Sequence, residues 1–234
     1  MNTIINLGNK TLTTLALALL LISNVASAQT TGVMGLFQSS SEALPNTIKK
    51  LESMANAQGC ALRREGKILG AQGNYDLKEV NAFFFLECET TLLTKESSQI
   101  LIGGLEKSAE NLMLVEGPVN QFGEFALSKS GVNKSYIIKL SDYNNLNPKK
   151  REIDVNKLGA MAQSRKHHYK TEAFVRITNA HGMKRPDEAV VIYYDTPKDG
   201  PLFRKNNEDL MEKIGQFNQD HLTQFSYIAA LSNR

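Results

Sequence analysis

Tryptophan is absent from this 234-residue chain, and it has only two cysteines, four histidines and six prolines. Each scarcity closes off some chemistry. Without Trp the strongest aromatic platform for sugar stacking is missing, although Tyr can take its place. Cys60 and Cys88 form no C-x-x-C, which excludes a dithiol redox motif. No His lies between them, so they do not match zinc-ligand spacing either. G-x-S-x-G and S-x-x-K are both missing, so Lys129-Ser130-Gly131 reads as a turn and not as part of a serine-acyl enzyme. No glycine-rich phosphate loop follows a strand, and Gly103-Gly104 is no nucleotide signature. H-E-x-x-H and H-x-x-E-H do not occur. No apolar run beyond the N-terminal region approaches the roughly 20 residues of a membrane helix.

What is present begins with the N-terminus. Lys10 precedes an apolar stretch, Leu12–Ile22, and then the small-residue step Ala26-Ser27-Ala28. This pattern predicts a secretory signal peptide over 1–28, with a mature chain Gln29–Arg234 that is periplasmic or secreted. An even cysteine pair in an oxidising compartment predicts a Cys60–Cys88 disulfide.

Residues 29–41 are small and polar around one apolar knot, Val33–Phe37, and read as a flexible leader to a single globular domain over 42–234. Helical spacing recurs over 45–58 through Ile48, Leu51, Met54 and Ala55. Asp76-x-x-Glu79 has the form of a capping box and predicts a helix running through Val80 and Phe84 to Cys88. A further helix is predicted from Thr94 to Leu112, weakened by the Gly103-Gly104 pair. After Pro118 the texture turns to strands. Phe122–Ser128 and Ser135–Ser141 alternate around a turn, and Thr171–Thr178 pairs with Ala189–Asp195. Asp154 is placed to cap a short helix. Asn207 opens another, with Leu210, Ile214, Phe217 and His221 on one stripe. The expected fold is α+β, a mainly antiparallel sheet packed against helices, with no internal repeat.

The formal net charge of +3 gives no reason to expect nucleic acid as a partner. Charge is uneven, however. Eight Glu face Lys95 and Lys107 between Glu79 and Glu124, while ten Lys or Arg fall between Lys134 and Arg176. His168 and Glu172 stand four apart with His181 downstream, but Arg165, Lys166 and Lys170 surround them and repel a cation, so no metal is expected. No cofactor is expected either. The connection Asn179–Glu188 is a charged loop between two strands, the usual setting for binding residues. Its charges are expected to point outward, while Val175, Ile177, Val190 and Ile192 enter the core. His181, Lys184 and Arg185, with Arg165 and Lys166, are the candidate partner-binding residues, suited to an envelope protein or an anionic ligand. No catalytic set assembles. The sequence reading is therefore a non-enzymatic exported binding domain. The alternatives are a hydrolase with a spatially assembled acidic/His site and an envelope protein that binds an anionic surface.

Overall fold

The computed structural model describes residues 30–89, 95–121 and 133–232. Its elements are β1 (Thr30–Gln38), α1 (Leu44–Ala57), β2 (Cys60–Gly73), β3 (Ala82–Glu89), α2 (Lys95–Leu105), β4 (Glu110–Gln121), β5 (Lys134–Tyr143), α3 (Pro148–Gln163), β6 (Lys170–Arg176), β7 (Asn179–His181), β8 (Glu188–Tyr194), α4 (Asp199–Asn206), α5 (Glu208–His221) and β9 (Leu222–Ser232). The predicted cleavage site at Ala28 and the strand read over 122–128 lie outside the described residues.

A β-α-β-β-α-β order runs through the chain twice. The first unit holds β1 to β4, and the second holds β5, β6, β8 and β9, with β7 a short continuation of β6. Strands pair in the same order in both units, β4-β1-β3-β2 and β9-β5-β8-β6, always antiparallel. The units then join edge to edge, β2 to β9 and β6 to β4, so that eight strands close into a barrel. This corrects the expected α+β sheet packed against helices. The sheet is closed on itself and the helices lie outside it. Hydrophobic period reports which residues are half-buried, but not whether two sheet edges meet. The repeat escaped the sequence reading because the two units share pairing order and not residues.

Closure makes three cores. Met34, Phe85, Met113, Ile138, Val175 and Ile228 fill the barrel. Alternate residues of the first unit, Val33, Phe84 and Leu86, point outward onto Leu51 and Ala55 of α1 and Leu101 of α2. In the second unit Tyr194 meets Phe203 and Leu210 of the outer helices. The two helices of the first unit approach closely where a Cβ on Gly104 would stand 2.4 Å from Met54 Sδ. Gly104, one of the pair that weakens α2 as a helix, thus permits that contact.

Several expectations change with this architecture. Residues 30–38, read as part of a leader, form β1, which pairs on both sides and is buried over Gly32–Phe37. The helix expected over 76–88 is β3, with Phe83, Phe84, Phe85 and Leu86 all buried because the barrel interior and α1/α2 cover opposite faces. A strand covered on both faces needs a continuous apolar run, and this outweighs the local capping signal. Residues Tyr75, Leu77 and Val80 instead pack against the barrel core. The helix expected to reach Leu112 stops at Leu105, and β4 begins at Glu110. On β8 the expected inward pair is out of phase: Ala189 and Val191 enter the barrel, while Val190 and Ile192 are half-buried on its outer face.

Candidate active site

The two units differ in how fully their helices cover the outer sheet face. In the first, α1 and α2 seal it, and Val33, Phe37, Leu62, Phe84, Leu86 and Leu114 are all buried. In the second, α5 packs on β9 while α3 lies on α5. A strip of β5, β6 and β8 is left half-exposed, including Phe174, Lys139, Tyr143, Glu188, Val190 and Ile192. Three of its members, Lys139, Glu188 and Tyr143, are ionisable groups partly withdrawn from water.

Lys139 sits in the outward phase of β5, between inward Ile138 and Leu140. Its Nζ donates to Asn218 Oδ1 at 3.1 Å. It lies 5.3 Å from the centre of the Phe217 ring and 5.5 Å from that of Tyr227. Asn218 in turn donates from Nδ2 to the Tyr227 hydroxyl at 3.0 Å. Burial pushes the Lys139 ammonium down to about 8, and the nearby Glu188 charge offsets this only in part. Glu188 accepts a hydrogen bond from the Tyr143 hydroxyl. Burial raises its carboxyl above the ordinary range, against the opposing effects of Tyr143 and Lys139. The Tyr143 phenol is itself raised, first by burial and then by Glu188. The Arg151 guanidinium stacks 3.7 Å over the Tyr143 ring from α3.

Chemically the strip offers an amine that is partly neutral near neutral pH, a carboxyl whose proton is held more tightly than usual, phenols and flat apolar walls. This is a set for proton transfer. The ordinary lysine value of 10.5 and the folded value of about 8 fix a sign. Between those two pH values the unfolded chain holds more protons, so stability rises with pH across the window. In urea titrations at pH 7.5 and pH 9.5, Lys139→Met should remove that rise and gain stability at the lower pH. An identical pH slope in both proteins would show that the amine is not withdrawn from water.

The residues nominated from sequence do not assemble. His181, at the end of β7, pairs through Nε2 with Glu106 Oε1 at 3.1 Å. Lys184 bonds Asp142 Oδ2 at 2.5 Å and Gln224 Oε1 at 3.1 Å. Arg185 donates to the Ile177 carbonyl at 3.1 Å. Arg165 pairs with Asp209 at 2.7 Å, at the N-terminal end of α5, and Lys166 is exposed beside it. The contacts of Lys184 lie near the other end of α5, a helix length or roughly 20 Å away. The 179–188 connection is anchored more than the sequence suggested, since Met183 packs on the barrel core and Pro186 is buried. Replacing both Lys184 and Arg185 by Ala should cost about 1 kcal/mol in a urea titration, for the Arg185 bond to a part-buried carbonyl. A loss of more than about 3 kcal/mol would make the connection a structural clasp.

The four histidines are all engaged. His167 faces Asp199, His168 the Arg165 carbonyl and His181 Glu106. His221, only 3% exposed, meets Asp154 Oδ2 at 2.9 Å. Asp154 therefore sits inside α3 and links His221 to Lys150 rather than capping a helix. Among the described residues no three His, Cys, Asp or Glu converge as a metal site would require. Lys139, Tyr143, Asn218 and Tyr227 were missed by the sequence reading, which placed Glu188 only at the end of the charged 179–188 loop. The one available signal was a lysine in the middle of an alternating strand, together with Asn218 interrupting the Leu210/Ile214/Phe217/His221 stripe.

No protein-family model and no curated protein matches this sequence. Solved structures do share its fold. An anthrone oxidase-like protein superposes with a TM-score of 0.56 at 9% identity, over 88% of this chain and 94% of the other. Chlorite dismutase from Candidatus Nitrospira defluvii gives 0.56 at 12%, over 88% and 92%. A candidate monooxygenase from Fusobacterium nucleatum gives 0.53 at 11%, over 88% and 93%. At these identities the likeness establishes architecture. The reading as a non-enzymatic binding domain, with its hydrolase and anionic-surface alternatives, is corrected by this barrel, on which solved oxidase-like, dismutase and monooxygenase proteins are built.

Proposed function

We propose that this chain is an enzyme acting on a small, flat, acidic organic molecule, a phenol or an enolisable ketone, in an oxidation that begins with proton removal by Lys139. The observation that supports this is the Lys139 amine itself. It lies on the half-exposed strip, is hydrogen-bonded only to the Asn218 amide oxygen among the described residues, and is shifted towards neutrality. The neutral amine takes the substrate proton, and the ammonium that forms is held by Asn218 Oδ1 and by the nearby Glu188. Phe217 and Tyr227 support a planar substrate body, and Arg151 at the rim faces the developing negative charge. The resulting anion is electron-rich and is oxidised by dioxygen as co-substrate: an activated CH2, or the para C–H of a phenol, becomes C=O, with one oxygen atom kept in the product and the other released as water. The names of the structural neighbours, anthrone oxidase-like and monooxygenase, support oxidation as the reaction class.

Oxygen uptake with anthrone and a panel of simple phenols and enolisable ketones tests the reading. The rate should rise with pH through an apparent pKa near 8. Lys139→Met should lower it by about 10²–10⁴-fold, the usual contribution of a general base. Uptake by the variant equal to wild type, or none across the panel, would overturn the proposal.

A further inference from the structure

At the other face of the same sheet the barrel interior carries a second group of charges that this chemistry does not use. Two strands bulge there, β2 between Leu62 and Arg64 and β6 between Thr171 and Ala173. A bulge re-aims a side chain, and at both it is a charged side chain that is buried. Arg64 Nη2 lies 2.7 Å from Glu172 Oε1, with side chains 1% and 3% exposed. Arg64 Nε donates to the Tyr136 hydroxyl at 2.8 Å, and Nη1 to the Arg63 carbonyl at 2.6 Å. The Glu172 charge is thus matched by Arg64.

Lys134 opens β5 in the inward phase, two residues before Tyr136, and is 9% exposed. Its Nζ stands 4.5 Å over the Tyr193 ring. Among the described residues it has no ion pair and no hydrogen-bond acceptor. Lys170 approaches the same ring at 5.8 Å, but Asp195 neutralises it at 2.6 Å. Arg64 and Lys134 therefore bring two positive charges against the one negative charge of Glu172, in a largely apolar interior. Burial and then Arg64 push the Lys134 ammonium below its ordinary range, with Glu172 and Asp195 opposing. A buried ammonium without a counter-charge is strongly disfavoured, and a bound anion removes that penalty.

We propose that this mouth of the barrel binds one small organic monoanion, a carboxylate, on Lys134 and against the face of Tyr193. The surplus is a single charge, which favours a monoanion over sulfate or phosphate. The Tyr193 and Tyr136 rings, 5.8 Å apart, favour an ion with an apolar body over a bare halide.

Equilibrium dialysis of the full chain against labelled benzoate, at fixed ionic strength and with chloride or sulfate as competitor, provides the test. Wild type should bind one equivalent of benzoate, displaced by acetate and only weakly by either inorganic ion. Lys134→Gln should weaken binding by about tenfold or more. The double variant Lys170→Gln, Asp195→Asn removes a neutral pair together and leaves the single surplus charge in place, so it should keep binding within about twofold. Lys134→Gln relieves a buried charge, so unchanged near-ultraviolet circular dichroism is expected and separates lost binding from lost fold. Lys139→Met, which disables the proposed chemistry, should bind benzoate as wild type does. If it does not, the anion sits on the outer strip and this site is wrong. No saturable benzoate binding, equal binding by Lys134→Gln, or stronger displacement by sulfate than by acetate would also overturn it.

Discussion

Arg64→Met should destabilise the barrel by about 3–5 kcal/mol in urea titration, the cost of leaving a buried carboxylate without its partner. The guanidinium is 1% exposed and touches Glu172, Tyr136 and the Arg63 carbonyl together. Methionine keeps most of the side chain's length, so the loss reports the charge and its bonds more than a cavity. The double variant Arg64→Met, Glu172→Leu removes both charges and should recover most of that loss, because an apolar pair of similar volume is usually tolerated where an ion pair was. Burial raises the Glu172 carboxyl while Arg64 pulls it down, and burial dominates. The single Arg64 variant therefore leaves an acid that folds more readily protonated, and its stability should fall further as pH rises above the ordinary carboxylate range. A single-variant cost below about 1 kcal/mol, or a double variant worse than the single, would mean that the pair does not hold the two units together.

The second large effect is expected at the disulfide. Cys60 and Cys88 face each other on β2 and β3, with Sγ atoms 2.05 Å apart and Cα atoms 3.9 Å apart. Joining residues 28 apart in sequence restricts the unfolded chain, which on the loop-entropy model contributes about 3–4 kcal/mol. Cys60→Ala with Cys88→Ala should lose about that much, and dithiothreitol should lower the wild-type thermal midpoint in parallel. If the midpoint is indifferent to reductant, the restraint supplied by β-pairing alone is already sufficient.

How much of this was legible depended on the range of the interaction involved. Helix α1 follows from the spacing of Ile48, Leu51 and Ala55, strands β5 and β6 from alternation, and β8 from the unbroken apolar run Val190–Tyr194, because each is a local pattern. The Phe83–Leu86 run was misread as helix because a nearby capping signal agreed with one face of it. What decided the matter was a second covering layer, made by residues far away in sequence. Lys139 was legible as a strand residue, but not as an amine on a half-exposed strip with its pKa lowered. That depends on α3 resting on α5 and leaving β5 and β8 uncovered. Arg64 and Glu172 were less accessible still, since a bulge shifts the phase by one residue and turns a charge inward where simple alternation would not place it. The charged residues that stood out in the sequence, Lys184, Arg185 and Arg165, did so because they are crowded locally. In the fold each has a nearby partner or carbonyl.

Barrel closure by two seams has a consequence for dividing the molecule. Cutting the chain between β4 and β5 would yield two half-barrels, 30–121 and 134–232, each with its own helices. Each half would carry two raw sheet borders, β2 and β4 in one, β6 and β9 in the other, that are satisfied only by its counterpart. Such pieces should be insoluble apart and soluble together, behaving as complementing fragments, with Arg64 on one and Glu172 on the other as the buried latch between them. Co-expression against separate expression would show it, and two halves that are each soluble and monomeric would argue that neither seam is needed.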